Sequence, residues 1–211
     1  MDAGLLRRAE AAKGFMPAAE GLALHAAALS VPALGALVEI GTYCGKSTLY
    51  LGAAAREIGA VLFTVDHHRG SEEHQVGEEY HDPDLLSSDN RIDSLPAFRK
   101  IIAEAGLEDA VVAIVGRSAT VARFWTAPIA FLFLDGGHSR EAAFADYDGW
   151  ARHIMPGGLL AIHDVFLDPS QGGQAPREVY RTALKSGDYV EARAEGSLRI
   201  LRRTRQTEKA L

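Results

Sequence analysis

Two short runs in the chain carry residue types suited to binding and activating a small molecule. Glu39-Ile40-Gly41-Thr42-Tyr43-Cys44-Gly45-Lys46-Ser47 brackets a turn with two glycines, and Asp135-Gly136-Gly137-His138 sets a carboxylate and an imidazole on either side of two more. Glycine at such places permits a tight turn and lets backbone approach a ligand closely. A helix opening near Lys46 would aim its free N–H groups at a charged molecule. Asp66 stands 25 residues beyond Gly41, near the roughly 20-residue offset at which an acid accepts hydrogen bonds from a ribose diol. Gly41, Tyr43, Gly45, Ser47 and Asp66 together predict a site for a nucleoside-containing ligand.

Two rival nucleotide sites can be tested on the letters. A dinucleotide turn, G-x-G-x-x-G, needs glycine where Tyr43 stands, because a side chain there obstructs the pyrophosphate. A Walker A loop needs four residues between its glycines, whereas Gly41 and Gly45 enclose three. The apolar run Phe131 to Asp135 has the look of a Walker B strand, so a P-loop-like nucleotide-binding protein stays as the rival reading.

The candidate catalytic groups follow the same logic. Asp135 and the pair His163-Asp164 each close an apolar run, and neighbouring strands would bring them together as ligands for a divalent metal. Magnesium prefers oxygen donors, while an imidazole suits manganese, iron or zinc. His138, with an ordinary pKa of about 6.5, can take a hydroxyl proton at neutral pH and is the candidate general base beside Asp135. The alternative is that His138 orients Asp135 or neighbours a helix cap at Ser139.

These groups need a scaffold, and the hydrophobic pattern supplies one. Apolar runs at Ala36–Ile40, Val61–Val65, Val111–Val115, Ile129–Leu134 and Leu159–Ile162 each end in Gly, Asp or His. Helical segments separate them, among them Ile92–Ala105, Ala119–Trp125 and Arg140–His153. Alternation of this kind predicts an α/β, Rossmann-like fold with a parallel sheet covered on both faces. Its ligands bind outside the carboxyl ends of the strands. Tyr189–Arg193 and Leu198–Leu201 flank a four-residue connection containing Gly196 and predict a terminal hairpin. Residues 1–35 read as two helices, Leu5–Ala12 and Pro17–Leu29, covering a sheet edge. Gln171–Gln174 reads as a flexible loop, and the tail 203–211 as frayed.

Composition bounds the partners. A chain of 211 residues, 47% hydrophobic, is the size of one domain. Its net charge of −6 is the wrong sign for affinity built on phosphate neutralisation, which argues against nucleic acid. Cys44 is the one cysteine, no apolar stretch approaches the roughly 20 residues that cross a bilayer, and the start lacks a basic and apolar leader. A cytoplasmic protein without membrane contact is the expectation. Between Ser71 and Asp93 lie eight acids and one base, leaving the rest of the chain nearly neutral. This acidic insert, 67–93, follows the second strand and so emerges on the ligand side as a lid, with a solvated loop as the plainer alternative. As a lid it would set His67 near an adenine and Tyr80 or His81 near a second substrate.

The run Glu39 to Ser47 resembles motif I of the class I S-adenosylmethionine-dependent methyltransferases. Within them the chain is most similar to the catechol and caffeoyl-coenzyme A O-methyltransferase-like branch. The likeness runs from Val38 to Leu201 through Asp66, Gly116-Arg117-Ser118, Asp135–His138 and Pro156-Gly157-Gly158. It implies one methyltransferase domain over 1–211, with a seven-stranded, mostly parallel sheet and a C-terminal antiparallel hairpin. It implies S-adenosylmethionine as methyl donor and a small-molecule hydroxyl as acceptor. By that likeness Gly41, Tyr43 and Ser47 line the methionine moiety, Glu39 supports the loop, Asp66 holds the ribose, and Gly116 and Ser118 lie by the adenine. Asp135 faces both cofactor and metal, and His138 stands where catechol-type enzymes carry a basic residue.

The branch has a carboxylate–amide pair where this chain has His163-Asp164, and magnesium or manganese on Asp135, His163 and Asp164 is the resulting expectation. A hydroxylase or a non-transferase binding protein on the same fold is the alternative. The acidic lid points to a neutral or cationic acceptor over polyanions such as coenzyme A thioesters. The apolar N-terminal helices offer a homodimer surface.

Overall fold

The computed structural model describes residues 1–204 apart from Ala33, Val76 and Glu79, so most of the tail expected to fray lies outside the described residues. Seven helices, α1 Ala3–Ala11, α2 Ala18–Leu29, α3 Lys46–Ile58, α4 Leu95–Glu104, α5 Ser118–Ala122, α6 Arg140–Trp150 and α7 Ala175–Lys185, alternate with seven strands among these residues. The strands are β1 Ala36–Ile40, β2 Leu62–Asp66, β3 Val111–Val115, β4 Ile129–Leu134, β5 Ile154–Ile162, β6 Tyr189–Glu195 and β7 Leu198–Arg203.

They form one sheet in the order β3-β2-β1-β4-β5-β7-β6. The first five strands are parallel, and β7 runs antiparallel between β5 and β6. The order reverses between β1 and β4, so the carboxyl ends of these two strands open a crevice where an open parallel sheet receives its ligand.

Two apolar layers enclose the sheet. On one face Leu24 and Ala28 of α2 and Leu49 and Ala53 of α3 pack with Phe131 and Phe133; on the other Trp150 of α6 and Val179 of α7 pack with Leu132, Leu160 and Leu201. β4 is buried along its whole length, which is why its sequence is a continuous apolar run rather than an alternating one.

Several expected boundaries move. β5 starts at Ile154, so Pro156-Gly157-Gly158 lie within it. The ladder to β4 shifts register there, and a Cβ on Gly158 would come within 2.9 Å of the Ala130 carbonyl oxygen. α5 ends at Ala122, before Trp125, and Arg203 belongs to β7. No element was assigned to 175–185, yet α7 fills it with Ala175, Val179 and Ala183 buried on one face. The N-terminal helices bury Leu5, Ala9, Ala23, Leu24 and Ala28 inside the subunit. Leu22 of α2 stays exposed. No helix of the described residues is long and apolar enough to cross a membrane.

The acidic insert is docked rather than free. It folds as two short 3-10 turns, Glu72–His74 and Pro83–Leu85, followed by a bridge between Leu86 and Ile92. Leu85 and Ile92 pack on Cys44 of the glycine turn. Lys13 pairs with Asp82 and Asp84, and Arg69 lies 3.8 Å from Asp93.

Two outcomes follow from this packing. A Cβ on Gly21 of α2 would stand 2.3 Å from the fully buried Tyr50 ring. Gly21→Ala should therefore destabilise by about 1–3 kcal/mol through overpacking, although Ala is the better helix former. Chemical denaturation measures this, and an unchanged midpoint would contradict the packing account. Cys44 is 3% exposed, and burial pushes its thiol up to about 12. A thiol reagent at mildly alkaline pH should label the native protein slowly and the unfolded chain at once, and Leu85→Asp should speed native labelling.

Candidate active site

The glycine turn after β1 is shaped by close approach. Gly41 has φ 86°, and a Cβ there would stand 2.1 Å from the Asp135 carbonyl oxygen at the end of β4. No side chain fits between these two strand ends. Gly45 has φ 91° and caps α3, with Phe98 and Ile101 each 3.1 Å from where its Cβ would be. Between them Tyr43 takes φ 49°, an uncommon conformation for a bulky residue.

Asp66 holds this turn in place. One carboxylate oxygen accepts from the Thr42 and Tyr43 amides, both at 2.9 Å, and the other accepts from His68 N at 2.7 Å. A carboxylate has about four acceptor sites, so the loop clamp leaves room for a further donor from the cavity. Glu39, fully buried under the turn, accepts from Ser47 Oγ and Thr48 Oγ1 at 2.6 Å each and so anchors the first turn of α3 to β1. Burial pushes its carboxyl up to about 7 in spite of those donors.

A cavity of about 850 Å³ opens above the switch point, within the usual range for small-molecule sites. Gly41, Tyr43, Ser47, Asp66, His67, Gly116, Ser118, Asp135, His138, His163 and Asp164 all reach its wall. Of the residues expected to hold a cofactor, Glu39 and Gly45 do not: they are built into the support behind it. The insert contributes Glu72, Glu73 and His74, while Phe15 and Met16 enter from the segment before α2. Tyr80 packs against the cavity residue Phe15, ring centroids 5.2 Å apart. His81 bonds to the His74 carbonyl.

Asp146 of α6 also lines this cavity and was not anticipated. Burial pushes its carboxyl up to about 6, with a hydrogen bond from Ser118 opposing. A Cβ on Gly136 would strike it at 2.6 Å. The signal lay in the helical stripe, where Asp146 falls four residues before the buried Trp150.

Acids and imidazoles alternate along the catalytic side. His163 Nε2 lies 2.7 Å from Glu20 Oε2, and its Nδ1 lies 2.9 Å from Asp135 Oδ1. Asp164 Oδ2 lies 3.0 Å from His138 Nε2, and His138 Nδ1 lies 3.0 Å from Glu73 Oε2. Burial opposes charge on His163, yet Asp135, Asp164 and Glu20 hold its pKa well above the ordinary value. Although burial pushes Asp164 upward, hydrogen bonds from His138 and His163 keep it well below the usual carboxylate range. Asp164 adopts φ 55° to reach both.

Two of the expected residues meet carboxylates on both ring nitrogens. His163 was expected to ligate a metal; in the structure its nitrogens lie 2.7 Å and 2.9 Å from the Glu20 and Asp135 carboxylates, and its side chain is 6% exposed. His138 was expected as a free base of ordinary pKa. Its hydrogen bond to Asp164, joined by Glu73, instead pushes it up to about 9 against the effect of burial.

Asp135, His138 and Asp164 each offer one donor atom, all within 4.8 Å of one another. Two carboxylates and one imidazole suit a divalent transition metal better than magnesium. Four carboxylates here face two imidazoles, an excess of negative charge that a dication would offset. Asp135, Asp164 and, in its neutral form, His138 therefore fit such an ion, while His163 lies behind Asp135 at 2.9 Å. Glu20 was missed as well: it is the single acid in an otherwise Ala- and Leu-rich helix, and that oddity was its signal.

Comparison with known proteins agrees with this fold. Solved structures of similar fold include a protein of Corynebacterium glutamicum, 17% identical with TM-score 0.66, the match covering 99% of this chain and 93% of that one. The O-methyltransferase TomG of Streptomyces achromogenes, solved with S-adenosylmethionine, is 19% identical with TM-score 0.63, over 97% and 91% of the two chains. An O-methyltransferase of Bacillus cereus, solved with S-adenosylhomocysteine, is 16% identical with TM-score 0.65, over 97% and 92%. At these identities the likeness is one of fold. Residues 38–165, from β1 to just past the His163-Asp164 pair, match the family described as methyltransferase domain, and the chain belongs to that family.

Proposed function

We propose that the protein transfers a methyl group from S-adenosylmethionine to a hydroxyl oxygen of a small acceptor. The observation that carries this reading is the shared cavity: the turn clamped by Asp66 and the acid–imidazole group at Asp135, His138 and Asp164 open into the same space. Donor and acceptor held there meet in one chamber. Structures similar in fold include O-methyltransferases solved with this donor or its product, which supports the choice.

Each residue's work follows from its place. Tyr43 and Ser47 border the methionine end of the donor, Asp66 takes the ribose hydroxyls on its remaining acceptor sites, and Gly116, Ser118 and His67 border the adenine. The donor's sulfonium supplies a good leaving group, so these residues act chiefly by holding carbon and oxygen in line at near contact. An ordinary phenol, with a pKa of about 10, is mostly protonated at neutral pH. Its proton passes to Nε2 of His138 in the neutral form, which gains as pH rises toward about 9, and Asp164 at 3.0 Å stabilises the imidazolium that results. A divalent ion on Asp135, His138 and Asp164, manganese before magnesium, would favour the acceptor's oxyanion when bound. Phe15, Tyr43 and His74, in mutual ring contact, form the wall toward the acceptor. Glu72 and Glu73 beside them favour an acceptor that is neutral or cationic.

The phosphate-binding alternative meets a specific obstacle. The Thr42 and Tyr43 amides, which a P-loop would aim at phosphate, are already engaged by the Asp66 carboxylate. S-adenosylmethionine and S-adenosylhomocysteine should raise the thermal midpoint and ATP should not. Asp66→Ala should weaken S-adenosylhomocysteine binding by about tenfold or more, the scale of a lost charged hydrogen bond; stabilisation by ATP alone would reverse the assignment. Binding of S-adenosylhomocysteine without methyl transfer to any hydroxyl acceptor would instead support the non-transferase alternative. For the ion, calorimetric titration of the apoprotein with manganese should give one site that Asp164→Ala abolishes, and chelator should lower turnover. A wild-type protein that takes up no manganese and ignores chelator would remove the ion from this scheme.

A further inference from the structure

The sheet has two edges, and they are built differently. At one, β6 carries Glu191, Arg193 and Glu195, with the first two exposed. Charges on an edge strand are the usual guard against pairing with another chain. At the other, β3 reads Val111-Val112-Ala113-Ile114-Val115, with no charge and no proline. Val112 is 43% exposed, Val115 is 56% exposed, and Ala113 is exposed between them. An uncharged apolar edge of this kind is what a covered edge looks like.

The open backbone groups of β3 have a fixed pattern. Ala110 accepts from Leu62 N, and Gly116 donates to Asp66 O, so the even-numbered residues face β2. In a strand, successive residues point their N–H and C=O groups to opposite sides, so Ala113 and Val115 direct theirs outward. Val111 keeps an outward carbonyl, because its N–H is taken by Leu107 O. An antiparallel copy placed with Ala113 against Ala113 would exchange both hydrogen bonds at that pair. Each Val115 N–H would then reach the Val111 carbonyl opposite.

Charge fits the same arrangement. Glu108 and Asp109 stand exposed just before β3, and Arg117 stands exposed just after it. Antiparallel pairing sets the acidic end of one strand beside the basic end of the other, twice by symmetry, whereas parallel pairing would set like beside like.

We propose that two copies of this chain associate through β3, antiparallel about a two-fold axis at Ala113, forming one continuous sheet across the dimer. The interface is isologous, so it closes at two copies, and it leaves both cavities open at the carboxyl ends of β1 and β4.

Sedimentation equilibrium at micromolar concentration should give twice the chain mass of 22.6 kDa. The Ala113 and Val115 amides should exchange slowly and lose that protection on dilution. Val112→Lys, which gives this edge the guard that β6 has, should halve the mass while leaving S-adenosylhomocysteine binding intact. Ala113→Pro, which removes an outward donor without touching the ladder to β2, should do the same. A monomeric wild-type protein, or folded variants that both keep the dimer mass, would overturn the proposal.

Discussion

Charge buried at the floor of the cavity is the constraint on which the rest of this site depends. Glu20 and His163 are 4% and 5% exposed, and either alone would carry the several-kcal/mol penalty of an unpaired buried ion. Each is therefore tolerable only in the other's company, and that mutual need fixes elements far apart in sequence. Glu20 binds α2 to β5 through His163, and it accepts from Ser197 N and Oγ in the β6–β7 turn. Gly196 next to it has no side chain because a Cβ would strike the Glu20 carboxylate at 2.1 Å. With α2 held this way, the segment before it carries Phe15 and Met16 to the cavity wall. His163 in turn fixes one Asp135 oxygen, so that residue's orientation is decided from beneath the site.

A second consequence is where strain is held. Tyr43, His68 and Asp164 adopt positive φ without being glycine, and all three border this region. Such conformations persist only when surroundings over-determine them. Here the cause can be named: Asp66 accepts from the amides of Tyr43 and His68, and Asp164 lies between two imidazoles. One carboxylate thus stabilises two strained residues on opposite sides of the β2 end. The turn over the donor space is held for an electrostatic reason, by hydrogen bonds from within the chain.

The fold was legible because a parallel sheet buried on both faces writes its strands as unbroken apolar runs, and four of the first five strands both begin and end within a residue of those runs. β5 was cut short because Pro156 and two glycines look like a connection, yet Gly158 is needed within the strand to pass the Ala130 carbonyl. α7 was lost because its apolar positions recur only every fourth residue among arginines and a lysine. In the site, residue types proved readable and pairings did not. Sequence brought Asp135, His138, His163 and Asp164 forward together, but nothing in the letters tells which nitrogen meets which carboxylate. The pairing of His163 depends on Glu20, which lies 143 residues away in the chain.

The acidic insert shows the same gap between composition and presentation. Counted along the chain, it is the most negative segment of the protein. In the structure much of that charge is answered locally: Asp82 by Lys13, Asp93 by Arg69 and Glu73 by His138. Arg69 and Arg91 moreover line the cavity from the insert's own side. Long-range repulsion of an anion scales with the net local charge, and neutralised pairs contribute little beyond a Debye length of about 8 Å. The proposed bias toward neutral or cationic acceptors therefore rests chiefly on Glu72 at the wall. Selection among neutral acceptors falls to the ring surface of Phe15, Tyr43 and His74, whose contact with one another presents a flat apolar wall beside the acid–imidazole group.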